Sequence, residues 1–485
     1  MSMFRNKVRK PNEEELEATF AAQLSPTTAK MMVPRNPLSK FEKRDKKEAN
    51  SSTDVLTAGE ALRQFLTQLI PHVQREQNFV IDFLHVHSGL EDGDGLITYA
   101  GYSGLEGYFK RAAVNLQQTA MLNSKLNDIL SVMDLIFGFL PGEMKEWVEA
   151  MVAADPMQII SVMMALDLVI GSDILVRSEF LNKILEAQQK RSLNIFELNI
   201  KEQLKAIETT RLTVKKRKGV VSFISTFPDF VLRVERQMEF GETADCPTRK
   251  LVNQLYEQIS QSMFEALQTM AKSEGDPVAN SGGGSQEDRD KDRLNYHTLI
   301  IENMHHFVTT VSKINAPALK ASLEKAKEQY DHNLALYIRL VLRRPLARFI
   351  DYFQGIDELL RTTEPTQIPQ HSQYTRASLK RVISTQDKKD IKKSIETLSK
   401  RVDKHFSDVA NPSAENSVVM ETVWSACEKE LIRLIGDWQA LLEKCYANPQ
   451  TESGTSGSND KGGIPKFEFG IDDVKLAFQK YRPGS

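Results

Sequence analysis

The residues of this chain whose type and spacing suggest a chemical function are clusters of Lys and Arg. The function that such clusters suit is the binding of anions. Residues 376–404 contain ten Lys or Arg and four Asp or Glu, a local net charge of +6. Such clusters attract acidic protein surfaces and acidic lipid headgroups. The candidate site, named here the 388–404 patch, consists of Lys388, Lys389, Lys392, Lys393, Lys400, Arg401 and Lys404. The alternative is a solvated helix face whose lysines pair with nearby carboxylates.

A second cluster, named here the 215–218 patch, consists of Lys215, Lys216, Arg217 and Lys218. It precedes the apolar run VVSFISTFPDFV, and a solvated face is again the alternative. The whole chain carries 63 basic and 65 acidic residues, so any binding of polyanions must come from such local patches. Neither patch is interleaved with aromatic residues, and we therefore do not expect a nucleic-acid partner.

Sequence motifs for nucleotide or calcium binding are incomplete. The glycines at 282–284 lie in a polar run, with no Lys-Ser or Lys-Thr pair after them to form a phosphate loop. The segment at 92–95, Asp-Gly-Asp-Gly, begins like a calcium loop. Its sixth position is Ile97 where the turn requires Gly, and its twelfth is Ser103 where a bidentate Glu belongs. We expect no cofactor at either place.

Histidine and cysteine are not spaced for metal binding or nucleophilic catalysis. His85 and His87 are two positions apart, whereas a helix aligns side chains at three or four. The three cysteines, Cys246, Cys427 and Cys445, are far apart and odd in number, which fits a reducing compartment. We predict no catalytic residue, no metal ligand, no small-molecule substrate and no enzyme activity. Catalytic residues dispersed through the sequence stay as an open alternative.

The element that must position the 388–404 patch is an amphipathic helix over residues 385–406. Its apolar residues Ile391, Ile395, Leu398 and Val402 recur at intervals of four, three and four. Similar helical patterns cover much of the chain, and almost no period-two pattern is found. The sequence therefore predicts an all-α fold, in which antiparallel helical bundles stack into an elongated rod.

Composition shifts predict the division of the chain into segments. We predict a flexible tail at 1–54, an N-terminal helical bundle at 55–195, a middle helical segment at 196–271, a flexible linker at 272–293, a C-terminal helical bundle at 294–450, a flexible loop at 451–463 and a tail helix at 464–485. The apolar run at 157–176 is interrupted by Asp167 and Asp173, which favours a buried core helix over a membrane span. The step Arg343-Arg344-Pro345 is expected to end one helix and begin the next.

Six segments, in order, resemble the C-terminal region of the exocyst subunit family Sec-three. They are QLKAIETTRLTVKKRKGVVSFISTFPDFVLRVERQ, NMHHFVTTVSKI, YIRLVLRRPLARFIDYFQGIDELL, SLKRVISTQDKKDIKKSIETLSKRVDKHF, VWSACEKELIRLIGDWQALLEKCY and FEFGIDDVKLAF. The resemblance is strongest from residue 196 to the end and looser over 55–185.

The resemblance implies a non-catalytic scaffold subunit of an octameric complex that tethers secretory vesicles to the plasma membrane before fusion. Its partners would be other exocyst subunits, and its location cytoplasmic and peripheral at sites of exocytosis. The alternative is a peripheral membrane-binding helical module that recognises acidic lipid through the basic patches. The resemblance does not imply which sister subunits bind which helix faces.

Members of this family usually carry an N-terminal pleckstrin-homology-like module and a coiled coil, and neither is visible before residue 55. We therefore expect a fragment, a split gene product or a short form. The phosphoinositide and Rho-type GTPase binding of that module is not transferred to this chain.

Overall fold

All regular structure in the described part of the chain is helical. The computed structural model describes residues 56–83, 118–172, 178–213, 219–239, 246–275, 286–407, 414–447 and 466–482. The α-helices in these ranges are α1 Ala58–Phe83, α2 Gln118–Phe137, α3 Leu140–Ala154, α4 Gln158–Ile170, α5 Glu179–Thr213, α6 Ser222–Met238, α7 Pro247–Gly275, α8 Gln286–Val311, α9 Lys320–Leu359, α10 Arg376–Ile383, α11 Lys388–Phe406, α12 Ala414–Tyr446 and α13 Ile471–Lys480. The predicted all-α class is confirmed, while the rod and the segment boundaries stay predictions.

The chain divides into two compact units. Unit 1 comprises Met1–Thr210 and Asp229–Ser260. Unit 2 comprises Arg211–Pro228 and Gln261–Ser485. Each unit has its own buried apolar residues, and the 388–404 patch belongs to unit 2.

Helix α4 is the central buried helix of unit 1. It is apolar on all sides and packs against α1 and α3. Nine of its thirteen residues are buried, which confirms the predicted core helix over this part of the 157–176 run. Among the helices that the structure describes, none is long and apolar enough to cross a membrane.

Unit 2 is built around one hydrophobic core shared by α9, α11, α12 and α13. Aromatic rings fill its centre: Phe353 stacks on Trp438 at 5.3 Å between ring centroids, and Phe349 lies 5.5 Å from the same indole. The short helix α13 is held at this core by Trp424, whose indole N–H donates to the carbonyl oxygen of Phe478 at 3.1 Å.

Two buried polar residues of α8 fix the chain that follows the 215–218 patch. The carboxylate of Glu302 accepts a hydrogen bond from the backbone N–H of Gly219 at 2.5 Å. The side-chain oxygen of Asn303 accepts from the N–H of Val221 at 2.8 Å. Gly219 has φ of 85°, a left-handed conformation that favours glycine over other residues. The segment leading into α6 is therefore held by side chains of α8.

A kink in α9 shapes the surface beside α11. Pro345 lies inside this helix, and Leu346 after it has non-helical φ of −120° and ψ of 18°. Proline lacks the N–H that would bond to the carbonyl of Val341, and its ring crowds the preceding turn. The predicted end of one helix and start of the next at the Arg343-Arg344-Pro345 step is therefore confirmed, since α9 consists of two helical segments that meet at this kink.

Candidate functional site

Helix α11, which carries the 388–404 patch, is capped at its start and buried along one face. Asp387 caps its start, because its Oδ1 accepts from the backbone N–H groups of Lys389 and Asp390 at 2.6 and 2.7 Å. Its predicted apolar face is confirmed by four residues that are at most 2% exposed, namely Ile391, Ile395, Leu398 and Val402. This face packs against α9, α12 and α13, so the remaining surface of α11 faces outward.

Most of the 388–404 patch lies on that outward surface. Lys392 and Arg401 are half-buried, and the other five residues are exposed. At about 100° per residue, four lysines fall on the face opposite the buried residues. This lysine stripe consists of Lys389, Lys393, Lys400 and Lys404. The structure therefore brings together the stripe that the sequence predicted, but not all seven residues on one face.

Two lysines of the patch pair with carboxylates of unit 2. Lys388 lies 3.1 Å from Asp473 of α13, and Lys400 lies 2.6 Å from Glu396 one turn away. The Lys400 hydrogen bond raises the pKa of Lys400 and lowers that of Glu396. The N–H of Gly470 and then Lys388 hold the pKa of Asp473 below its ordinary value. The alternative interpretation of the patch was that its lysines pair with nearby carboxylates, and these two lysines do so.

A groove, named here the α9–α11 groove, opens beside the kink in α9. Its volume is about 380 Å³. Residues of α9, of the turn between α10 and α11, and of α11 line it. They are Val341, Arg344, Pro345, Thr385, Gln386, Asp390, Lys393, Ser394, Thr397, Leu398 and Arg401.

The charges in the α9–α11 groove converge from two helices. Arg344 comes from α9, and Lys393 and Arg401 come from α11. Asp390 is the acidic residue among its lining, so the charged side chains sum to +2. Buried Val341 and Leu398 supply the apolar part of the wall. The lining of the groove therefore combines a net positive charge with an apolar wall.

Two of the three groove cations, Lys393 and Arg401, belong to the predicted 388–404 patch, whereas Arg344 was not predicted. Pro345 directly after Arg344 was a sequence signal for a break in the helix at this point, but not for a groove. The other five residues of the 388–404 patch do not line the groove. Charge density alone thus located the helix but not the concave site.

The cysteines of this chain are core residues rather than nucleophiles. All three are buried. Burial raises the pKa of Cys427 to about 12, and it also raises the pKa of Cys246 and of Cys445. The thiolate is the reactive form, and burial disfavours it here.

Several predicted features can be located only in part. Within the described ranges, no group of three or more His, Cys, Asp or Glu side chains is placed to hold a metal ion. The 215–218 patch lies outside the described residues, as do the 92–95 segment, the glycines at 282–284, His85 and His87. The 215–218 patch therefore stays a prediction.

Three relatives share a similar stretch with this chain. A Drosophila melanogaster protein named Exocyst complex component 1 is 25% identical over 292 residues, which are 60% of this chain and 27% of the relative. The Mus musculus protein of the same name is 23% identical over 252 residues, 52% of this chain and 25% of the relative. The Dictyostelium discoideum protein is 21% identical over 269 residues, 56% of this chain and 28% of the relative. The chain thus spans about a quarter of the length of the curated relatives it matches.

Solved structures and family models give different results for this sequence. No solved structure matches the chain at a significant level. A family model described as Exocyst complex component Sec3, C-terminal, matches residues 92–448, which is most of the chain and includes α2 to α12. By this match the chain belongs to the family of exocyst complex component Sec3, C-terminal.

Proposed function

We infer that this chain is a non-catalytic scaffold subunit of the exocyst, and that it acts in tethering secretory vesicles to the plasma membrane before fusion. The observation that carries the proposal is the family match over residues 92–448, because it covers most of the helices of both units. The relatives are named as components of this complex, which supports sister subunits as the partners.

The architecture supports a role based on surfaces. Long helices such as α5, with 35 residues, and α12, with 33, present extended faces on which a partner helix can pack. In unit 2 the apolar face of α11 is already covered by its neighbours. Partners would therefore meet the outward faces, where charge and shape decide which subunit binds.

The proposed location follows from the proposed complex. A subunit that joins a tethering complex would be cytoplasmic and held at sites of exocytosis through its sister subunits. The outward lysine stripe would attract the chain to acidic surfaces. This attraction acts only at short distances, because salt screens charges that are farther apart.

Affinity purification of the tagged chain from a fungal or animal cell lysate tests the proposal. Mass spectrometry should identify several exocyst subunits in the retained fraction. A matched sample carries Phe353→Asp, which places a charge in the aromatic core of unit 2 and should abolish the retention. Absence of exocyst subunits from the sample of a chain that circular dichroism shows to be helical would contradict the proposal.

A further inference from the structure

We propose that an exposed apolar patch of unit 1 docks on a basic, amphipathic helix of a partner protein. The docking residues, named here the 135–139 patch, are Leu135, Ile136 and Phe139 at the junction of α2 and α3. The proposal deepens the proposed function by naming the chemistry of one partner segment. It rests on that function only for the partner's being a sister subunit.

The 135–139 patch gathers three large apolar side chains in one exposed place. Leu135 is 87% exposed, Phe139 63% and Ile136 42%. Single exposed apolar residues are common on protein surfaces and need no explanation. These three residues instead lie within five consecutive positions, and a contiguous apolar cluster marks a place where another molecule binds. The patch therefore has the composition of a docking site.

The fold of unit 1 holds the patch outward. Leu140, directly after the patch, is buried, and the ring centroid of Phe137 lies 6.3 Å from that of Phe180 in α5. Gly138 permits the backbone turn between the two helices, because a Cβ at this position would collide with the carbonyl oxygen of Asp134. Turning the patch inward would displace Phe137 and Leu140 from these contacts. A partner thus meets a preformed surface, which reduces the entropic cost of binding.

Carboxylates lie in line with the patch on both helices. Asp128 is seven residues before Leu135 on α2, while Glu143 and Glu146 are four and seven residues after Phe139. Spacings of four and seven place side chains on the same face of a helix. The three carboxylates are exposed, and within the described ranges none of them forms an ion pair. The apolar patch is therefore flanked by negative charge that has no counter-ion.

The segment around the patch is acidic as a whole, and this decides which partner fits. Residues 127–154 contain five acidic residues and one basic residue, a local net charge of −4. The basic residue, Lys145, pairs with Glu149 at 3.8 Å. A partner that covers the patch comes close enough to these carboxylates for charges to be unscreened, within about 10 Å. The favoured partner therefore presents Lys and Arg beside its apolar side chains, as a basic amphipathic helix does.

The same features disfavour two other occupants. A bilayer rich in acidic lipid would repel the carboxylates beside the patch. A second copy of this chain could offer its lysine stripe, but the apolar face of α11 is covered by α9, α12 and α13. The stripe would therefore supply positive charge without apolar side chains to cover Leu135 and Phe139. A basic amphipathic helix supplies both.

Fluorescence anisotropy of a labelled model peptide, titrated with the full chain at low ionic strength, tests the proposal. The probe, named here the lysine peptide, is two repeats of Leu-Lys-Lys-Leu-Leu-Lys-Leu, whose helix has a leucine face and a lysine face. The same peptide with glutamate in place of lysine keeps the apolar face and reverses the charge. Circular dichroism checks that every variant of the chain remains helical.

Two variants of the chain separate the apolar and the charged contributions. The patch variant is Leu135→Ser with Phe139→Ser, and its matched control, Leu198→Ser with Leu232→Ser, removes two other exposed apolar side chains of unit 1. The charge variant carries Asp128→Asn, Glu143→Gln and Glu146→Gln. Its matched control neutralises three exposed carboxylates of α5: Glu186→Gln, Glu197→Gln and Glu202→Gln.

We expect the patch variant and the charge variant each to weaken binding of the lysine peptide by about tenfold, and the controls by less than about threefold. Equal weakening by either variant and its control would overturn the proposal, as would equal affinity for the glutamate peptide. Loss of phosphatidylcholine vesicle binding in the patch variant, with peptide binding unchanged, would reassign the patch to a membrane.

Self-association is measured by light scattering on the same samples. A wild-type dimer that becomes a monomer in the patch variant, with peptide binding unchanged, would reassign the patch to a second copy of the chain and overturn the proposal. Because these assays contain no other exocyst subunit, their failure is distinct from failure to enter the complex.

Discussion

The carboxylate of Asp167 accepts hydrogen bonds from both the backbone N–H and the hydroxyl of Thr248, at 2.8 and 2.6 Å. Its other oxygen accepts from the side-chain amide of Gln189 at 2.6 Å. These bonds explain how an acidic residue is tolerated in α4, a helix that is otherwise apolar. Thr248 is 1% exposed, so water cannot replace the lost acceptor.

Replacing Asp167 by alanine should lower the free energy of unfolding by about 2–4 kcal/mol, because it leaves two donors of Thr248 without an acceptor. Urea denaturation followed by circular dichroism measures the change. Asp134→Ala is the matched control, since Asp134 is exposed on α2 and its loss should cost less than about 0.5 kcal/mol. Equal effects of the two substitutions would show that the Asp167 bonds add nothing to stability.

The cap of α11 should make its stability depend on pH. The N–H groups of Asp390 and Lys389 hold the pKa of Asp387 below its ordinary value of 3.8. The folded state therefore favours the charged form of Asp387. The charged form stabilises the folded protein at pH values above the pKa that Asp387 has in the unfolded chain. This stabilisation is lost as the pH falls through the lower pKa of Asp387 in the folded protein. Asp387→Asn keeps an oxygen acceptor for the cap but does not titrate in this range.

Wild-type protein should exceed Asp387→Asn in denaturation midpoint near neutral pH, and the difference should disappear on acidification to about pH 2. Thermal unfolding at a series of pH values measures both proteins under the same conditions. A difference that stays constant across the series would exclude titration of Asp387 as its cause.

Phe478 should be essential for the attachment of α13. It is 1% exposed, and its ring centroid lies 4.5 Å from that of Trp424. Phe478→Ala should destabilise unit 2 by about 3–5 kcal/mol or release α13 to protease. Leu476→Ala, on the same helix but 59% exposed, is the matched control and should behave as wild type. Cleavage of both variants at the same rate would mean that α13 is not held by this contact.

The lysine stripe should govern any binding to acidic vesicles. The test protein carries four reversals: Lys389→Glu, Lys393→Glu, Lys400→Glu and Lys404→Glu. Cosedimentation with phosphatidylserine vesicles should fall by about tenfold or more, since each close basic residue contributes about 1 kcal/mol. The matched control reverses four other exposed lysines of unit 2: Lys313→Glu, Lys320→Glu, Lys325→Glu and Lys327→Glu. Unchanged binding by the test protein would remove the stripe from any role in membrane contact.

Local sequence patterns were sufficient for the helices and their buried faces. The spacing of Ile391, Ile395, Leu398 and Val402 predicted the buried face of α11. Residues that recur with a period near 3.6 lie on the same face of a helix. The apolar run that contains α4 predicted a core helix rather than a membrane span, because Asp167 and Asp173 interrupt it. Arg376, although inside the charge-dense stretch, instead donates to the carbonyl of Tyr446 at 2.7 Å.

Contacts between distant segments could not be predicted from those patterns. Thr248 is 81 residues from Asp167, and no local rule pairs them. Arg344 joins Lys393 and Arg401 only because α9 kinks at Pro345 and packs beside α11. The concave site is a product of tertiary packing, which periodicity and charge counts do not describe.

Reconstitution from purified components shows whether this chain joins the exocyst through its own surfaces. The folded chain is mixed with purified sister subunits of the exocyst and separated by size-exclusion chromatography with mass measured by light scattering. We expect the chain to elute within a complex of defined stoichiometry, and the Phe353→Asp variant to elute outside it. Elution of the folded wild-type chain alone, at the mass of a free 54.9 kDa monomer, would contradict it.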